Sequence, residues 1–277
     1  MQMLLDIVWL WFLFNAVLTA AMFLFWYYER RSRPETAHLS GGLEHLSALR
    51  VVLGIVHETL AFMWMQLTMP LAIWGDRNQP TLVQDGQTPV LLVHGYACNS
   101  SSLQWQARRL VKAGYQVRCV SYRPPVANVH KLVPQIKAHI QQLLDDTGAE
   151  KIHYVCHSMG GVLVREVLAD DAFAHRIDKV VCLGSPHHGT HAASLINLVV
   201  KGAIRQMTPA SDYIQSLPKT RDSARFYGIC SQMDNLVLPV TSAVLPGAIT
   251  KTVDYLGHCA LLYSPMVAGM ILECLEE

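Results

Sequence analysis

From residue 88 onward, short runs of consecutive apolar residues alternate with longer stretches in which apolar positions recur every three or four residues. The runs at 89–94, 116–121, 151–156, 179–184, 225–230 and 248–253 predict strands, since each is too short for a helix and rich in β-branched or other apolar residues. Helical spacing predicts helices over 102–113, 130–146, 159–170 and 264–275. Such alternation predicts an α/β domain with a mostly parallel sheet of roughly six strands covered on both faces, because each helix buries one stripe and each strand two faces. The longest interval between strands contains an apolar insertion over about 187–222, with Ile204, Met207 and Tyr213 among its apolar positions. It fits a lid above the sheet edge or a pair of cap helices with a core-facing stripe.

Upstream the pattern changes. Residues 7–28 carry no charge, and about 22 helical positions at ~1.5 Å each cross the ~30 Å hydrocarbon layer. Trp9 and Trp11 at one end and Trp26, Tyr27 and Tyr28 at the other supply interfacial belts. The stretch lacks the basic start and small-residue cleavage site of a signal peptide, so it reads as a retained transmembrane anchor. Arg30, Arg31 and Arg33 follow it, which places residues 29–50 on the cytoplasmic side. A second apolar stretch, 51–74, is interrupted by His57, Glu58, Gln66 and Pro70. If it spans, the pair is a hairpin with the rest of the chain outside the cytoplasm; if it is interfacial or packed on protein, the rest stays inside. The expected organisation is an anchor at 1–28, a basic linker with the second apolar helix at 29–76, and an α/β domain at 77–277, held at the inner or plasma membrane by one or two spans.

Composition narrows the choice of partner. Only 16% of the 277 residues are charged against 51% hydrophobic, and the net charge is +1, a skew toward membrane association without the basic footprint of a nucleic-acid binder. Seven cysteines make an odd count; Cys119, Cys156, Cys182 and Cys230 fall in predicted strands, which reads as buried free thiols and fits a reducing compartment.

The chemistry centres on Ser158. It follows the strand at 151–156 and precedes a helix, with Cys156 two residues before it and Gly160 two residues after. A serine on such a sharp turn points its hydroxyl into a cleft beside backbone N–H groups, which is the nucleophile elbow. The alternative is an ordinary helix N-cap serine. Residues in the right order accompany it: the strand at 89–94 ends in His94-Gly95, Asp234 lies just past the strand at 225–230, and His258 follows Gly257 ahead of the last helix. A serine hydroxyl needs a base to accept its proton, and the base needs a carboxylate to orient its imidazole. Asp254, four residues before His258, competes with Asp234 for that role but sits inside or beside a strand. His157 occupies the variable position of the elbow and is expected to pack. His94 is expected to fix its loop. His187, His188 and His191 could be read as zinc ligands, but no paired cysteine or carboxylate stands at ligand spacing, so a turn after a strand is the simpler reading. The Gly41-Gly42 and Gly160-Gly161 pairs do not form a phosphate-binding pattern.

Together, His-Gly-Tyr at 94–96, Cys-His-Ser-Met-Gly-Gly at 156–161, Gly-Ser-Pro-His-His-Gly-Thr at 184–190, the stretch 231–239 and Gly-His-Cys-Ala-Leu-Leu at 257–262 resemble the bacterial triacylglycerol lipases and lipase-like esterases of the α/β-hydrolase superfamily. The resemblance covers roughly residues 88–277. It implies an α/β-hydrolase fold, Ser158 as nucleophile, Asp234 as acid and His258 as base, and an oxyanion hole from the backbone N–H groups of Tyr96 and Met159. It also implies a lipid or other apolar ester as substrate and no organic cofactor. Some lipases of this group carry a structural calcium, for which no ligand residues match here. Thioesterases and acyltransferases use the same machinery, and a non-catalytic membrane adaptor could retain the fold.

Overall fold

The computed structural model describes residues 2–33, 47–72, 87–198, 202–218 and 224–277. Parts of the expected linker (34–46 and 73–76), the Gly41-Gly42 pair and parts of the expected insertion, at 199–201 and 219–222, lie outside the described residues. Six strands, β1 (Val90–Val93), β2 (Val117–Val120), β3 (Ile152–His157), β4 (Ile177–Leu183), β5 (Arg225–Ser231) and β6 (Ile249–Val253), form one sheet in the order β2-β1-β3-β4-β5-β6, every neighbouring pair parallel. Helices α3 (Gln104–Lys112), α4 (Val129–Thr147), α5 (Met159–Ala169) and α10 (Pro265–Glu276) cover it. The short helices α7 (His191–Ile196), α8 (Ala203–Gln206) and α9 (Asp212–Ser216) lie between β4 and β5, and α6 (Asp171–Ala174) leads into β4. This is the α/β-hydrolase arrangement.

The continuous apolar runs are explained by burial on both faces. Leu91 and Val93 of β1 pack with Tyr154 and Cys156 of β3 against Leu132, Ile136 and Ile140 of α4 and Val162 and Leu163 of α5. Val90, Leu92 and Val155 face the opposite side, against Leu103, Leu110, Val267 and Ile271. Alternate residues of a strand point to opposite faces, so a strand between two helix layers must be apolar at every position.

Two boundaries differ by two residues from those the sequence predicts, the others by at most one. The helix expected from 102 is preceded by a 3-10 turn at Ser100–Leu103, because the Asn99 side chain accepts a hydrogen bond from Ser101 N at 3.1 Å and starts the turn early. Strand β4 begins at Ile177 rather than 179: Asp178 interrupts the apolar run in the sequence, but buried Ile177 pairs with Ile152 across a register irregularity.

The strand order places a topological switch between β1 and β3, since the chain leaves β1 toward β2 and then crosses back to β3. In an open parallel sheet the connections diverge at such a point and leave a crevice at the carboxyl ends of the strands. His94-Gly95 and Ser158 emerge there.

Two long apolar helices precede the sheet, α1 (Gln2–Ser32) and α2 (Ala48–Thr68), each long and apolar enough to cross a membrane. They pair through polar contacts: Trp11 Nε1 donates to Gln66 Oε1 at 3.0 Å and Gln66 Nε2 donates to Asn15 Oδ1 at 2.6 Å. The last turns of α1 dock on the sheet domain, where Trp26 Nε1 and Arg30 Nη1 both donate to the Gln232 carbonyl at 3.0 Å. Phe23 and Trp26 are buried, whereas Trp9, Leu10, Phe14, Val17 and Leu24 are exposed along α1.

Candidate active site

Ser158 follows β3 and occupies the N-cap of α5 with φ 54° and ψ −125°, a backbone conformation that costs a non-glycine residue on the order of 1–3 kcal/mol. Its side chain makes no capping hydrogen bond. The hydroxyl is therefore not spent on the helix end, which removes the main stabilising role an N-cap serine has. A strained turn persists only where the surroundings hold it, and here Ser158 N donates to the Leu183 carbonyl at 2.9 Å. The loop after β1 lies directly against it: a Cβ added to Gly95 would stand 2.8 Å from the Ser158 Cβ, so the two can approach this closely only because residue 95 is glycine.

That loop is fixed by Tyr122 and His94. The Tyr122 hydroxyl lies 2.9 Å from the His94 carbonyl and 2.8 Å from the Gly95 carbonyl, and the two rings stack with centroids 3.9 Å apart. His94 Nδ1–H donates to the Gly95 carbonyl at 2.8 Å while its Nε2 accepts from Tyr122 N at 3.4 Å. Both ring nitrogens are thus committed to backbone. His94 acts as a loop brace, as the sequence suggests, and Tyr96 follows it on the cavity wall.

Asp234 and His258 come together past the ends of β5 and β6. His258 Nδ1 stands 2.9 Å from Asp234 Oδ2 and 3.0 Å from Oδ1, with both residues buried. Asp234 Oδ1 also accepts from Leu236 N at 3.0 Å and Val237 N at 2.8 Å, which fixes the carboxylate. Burial draws the His258 pKa down, while the charge and hydrogen bond of Asp234, with a contribution from Glu58, outweigh it and leave the pKa raised above its ordinary value. Asp254, the competing carboxylate, lies just past β6 and is exposed.

The loop that carries His258 is held from several elements. His258 N donates to Asn235 Oδ1 at 3.0 Å, and the Ser231 hydroxyl donates to the Leu256 carbonyl. His157 Nε2–H donates to the His258 carbonyl at 3.1 Å, its ring 4.4 Å from that of His258. Burial, reinforced by the charge on His258, pushes the His157 pKa well below its ordinary value, so His157 is a neutral donor. A carboxylate from α2 completes the set: Glu58 accepts from Cys259 N at 3.0 Å and Ala260 N at 2.8 Å. In the sequence Glu58 stands out only as an interruption of an apolar stretch. An ionisable residue in the middle of such a helix is itself the signal that it has a specific partner.

Ser158, Met159, Tyr96 and His258 border one cavity of about 320 Å³, within the size range of small-molecule sites. Its walls are apolar: Phe62, Met65 and Met69 come from α2 and the turn after it, and Ile196, Ile204 and Met207 from the insertion between β4 and β5. The histidines at 187, 188 and 191 do not converge on a common point. His188 Nε2 donates to the Val244 carbonyl at 3.1 Å, and His191 Nδ1 pairs with Glu29 of α1 at 2.6 Å. Among the described residues there is no group of three or more His, Cys, Asp or Glu side chains that could hold a metal ion. The seven cysteines are buried and form no disulfides.

Comparison with known proteins bears on the family and the fold. Residues 89–241, from the start of β1 past Asp234, match the family model for palmitoyl protein thioesterase. A lysosomal thioesterase, PPT2-B of Xenopus laevis, is 28% identical over 112 residues, covering 39% of this chain and 38% of its own. A triacylglycerol lipase of Vibrio cholerae is 27% identical over 138 residues, covering 47% and 43% respectively. The aligned stretch thus spans less than half the length of either curated relative. Among solved structures, the mature lipase BlEst2 of Bacillus licheniformis superposes with a TM-score of 0.63 over 71% of this chain and 96% of its own at 17% identity, a likeness of fold. Taken with the parallel sheet, these matches make the chain a lipase-like α/β-hydrolase, and it belongs to the palmitoyl protein thioesterase family.

Proposed function

We propose that the protein is a membrane-anchored serine hydrolase that cleaves carboxylic esters of apolar acyl chains through an acyl-enzyme on Ser158. The observation that carries this reading is a strained serine with an uncapped hydroxyl at the switch point of the sheet, bordering the same apolar cavity as a buried His258–Asp234 pair.

In this mechanism His258, through the ring nitrogen not bonded to Asp234, takes the Ser158 proton as the hydroxyl oxygen attacks the acyl carbon. Asp234 holds the Nδ1–H tautomer and stabilises the imidazolium. The N–H groups of Tyr96 and Met159 receive the charge that develops on the acyl oxygen, each donor contributing on the order of 3 kcal/mol to the transition state. His258 then protonates the leaving alcohol, and water, deprotonated by the same imidazole, releases the acid and restores Ser158. No organic cofactor enters any step. The apolar walls suit an acyl chain, and the exposed apolar residues of α1 supply the anchor that brings the cavity to lipid. The catalytic unit in this reading is residues 77–277, with 1–28 as anchor and 29–76 joining them.

A thioester is the second reading, favoured by the family match and by the Xenopus thioesterase. The same attack applies with a thiolate as leaving group, and fold alone does not choose between them. Hydrolysis of p-nitrophenyl esters and matched acyl thioesters over a series of chain lengths, by the wild type and Ser158→Ala, tests both. Loss of turnover on the order of 10⁶-fold in the variant is expected, with preference for longer chains; unchanged hydrolysis by Ser158→Ala contradicts the mechanism.

A further inference from the structure

Helix α2 lies outside the part of the chain that matches the family, yet its buried Glu58 reaches the catalytic edge. Glu58 Oε1 accepts from Cys259 N and Oε2 from Ala260 N, so one carboxylate holds the two peptide groups that follow His258. Burial raises the Glu58 pKa above its ordinary value, and the two N–H donors, one to each oxygen, act against that and favour the ionised form, which has acceptors only. The chain accommodates the approach through Gly257, where any Cβ would collide with the Glu58 carboxylate. Glu58 and Cys259 are 201 residues apart in sequence, so this is a tertiary contact made for the loop and not a local cap.

We propose that Glu58 is a positioning residue for the hydrolytic reaction: from α2 it fixes the main chain on the carboxyl side of His258 and sets the electrostatic environment of the imidazole. The inference rests on the serine-hydrolase reading above. Asn235, Ser231 and His157 hold the loop up to and including His258, and Glu58 supplies the hold beyond it. Without it, His258 keeps Asp234 and its carbonyl keeps His157, but Cys259 N and Ala260 N lose their acceptor, and displacement of the imidazole by about 1 Å costs on the order of 10²-fold in rate. The titratable groups that face His258 are Asp234 past β5, Glu58 on α2 and His157 at the end of β3. His94 in turn acts on His157, and the Cys259 thiol, close to Cys98, faces Glu58. Of these, Asp234 and Glu58 favour the imidazolium, so removing the Glu58 charge makes His258 easier to deprotonate.

The test compares wild type, Glu58→Gln and Glu58→Asp in the full chain, by kcat and KM for a p-nitrophenyl ester and by the pH dependence of kcat/KM, with circular dichroism as a check on folding. Glu58→Gln keeps the shape but loses the charge and one acceptor; about 10²-fold lower kcat, a KM within a few-fold of wild type and an acid limb moved to lower pH are expected. Glu58→Asp keeps the charge on a shorter stem, so it lowers kcat while its acid limb stays nearer wild type. The inference is overturned if either folded variant retains wild-type kcat, if Glu58→Gln leaves the acid limb in place, or if neither variant folds, which assigns Glu58 to stability alone. Wild type that neither hydrolyses the ester nor labels at Ser158 with a fluorophosphonate sinks the hydrolase reading itself, a separate outcome.

Discussion

The β1–β3 edge and α2, which is paired with α1, reach the same cavity by opposite rules. At the sheet edge, apolar residues build the scaffold and the polar residues stand where the apolar runs stop, at His94, Ser158, Asp234 and His258. In the helix pair the apolar residues are largely exposed, and the few polar ones make the contacts that fix position: Asn15 and Gln66 between the helices, Trp26, Glu29 and Arg30 to the sheet domain, Glu58 to the His258 loop. In the sheet, a polar residue marks where the core ends. In an apolar helix, a polar residue marks where the helix is attached, because an unpaired polar group there is costly and a paired one is directional.

The sharpest way to break this contrast is to disturb the sheet edge and leave the helices intact. Asp234→Asn keeps the shape of the side chain but removes the charge and the acceptor that select the Nδ1–H tautomer, and a fall in kcat on the order of 10⁴-fold is expected. Asp254→Asn, at an exposed carboxylate, is expected to leave steady-state turnover at its wild-type value; the reverse pattern would move the acid to 254. A smaller effect is read by pH. Because the neutral imidazole is the base and its pKa is raised, kcat/KM should fall as pH drops through a limb above the ordinary histidine value of about 6.5. A limb below that value contradicts a His258 pKa raised above its ordinary value. The smallest effect belongs to the helix pair: Asn15→Leu strips Gln66 of a partner and should lower stability in detergent by about 1 kcal/mol, measured by thermal unfolding, with little change in the rate of Ser158 labelling. A large loss of activity from that variant would place the helix contact within the catalytic machinery.

The fold was legible because its signal is redundant. Leu91, Val93, Tyr154 and Cys156 are apolar for the same reason, and a misjudged residue such as Asp178 shifts one boundary without altering the sheet. The turn at Ser158 was legible through the small residues around it, and the brace on the β1 loop through His94. Asp234 was preferred to Asp254 from its place after a strand, and it is Asp234 that pairs with His258 while Asp254 is exposed. Glu58 and Arg30 were not legible in the same way. Their partners, Cys259, Ala260 and Gln232, lie about 200 residues downstream, and hydrophobic periodicity carries no information about which distant backbone group a buried charge will meet. A window long enough to recognise an apolar helix averages away the one residue that determines where it docks.

The central claim is that Ser158 is the nucleophile and His258 its base. Reaction of the full-length protein with a fluorophosphonate probe, followed by digestion and peptide mapping, reads this directly. The account predicts a single adduct on Ser158, absent in Ser158→Ala and formed far more slowly in His258→Ala; an adduct on another residue, or labelling of Ser158 at an unchanged rate without His258, contradicts it.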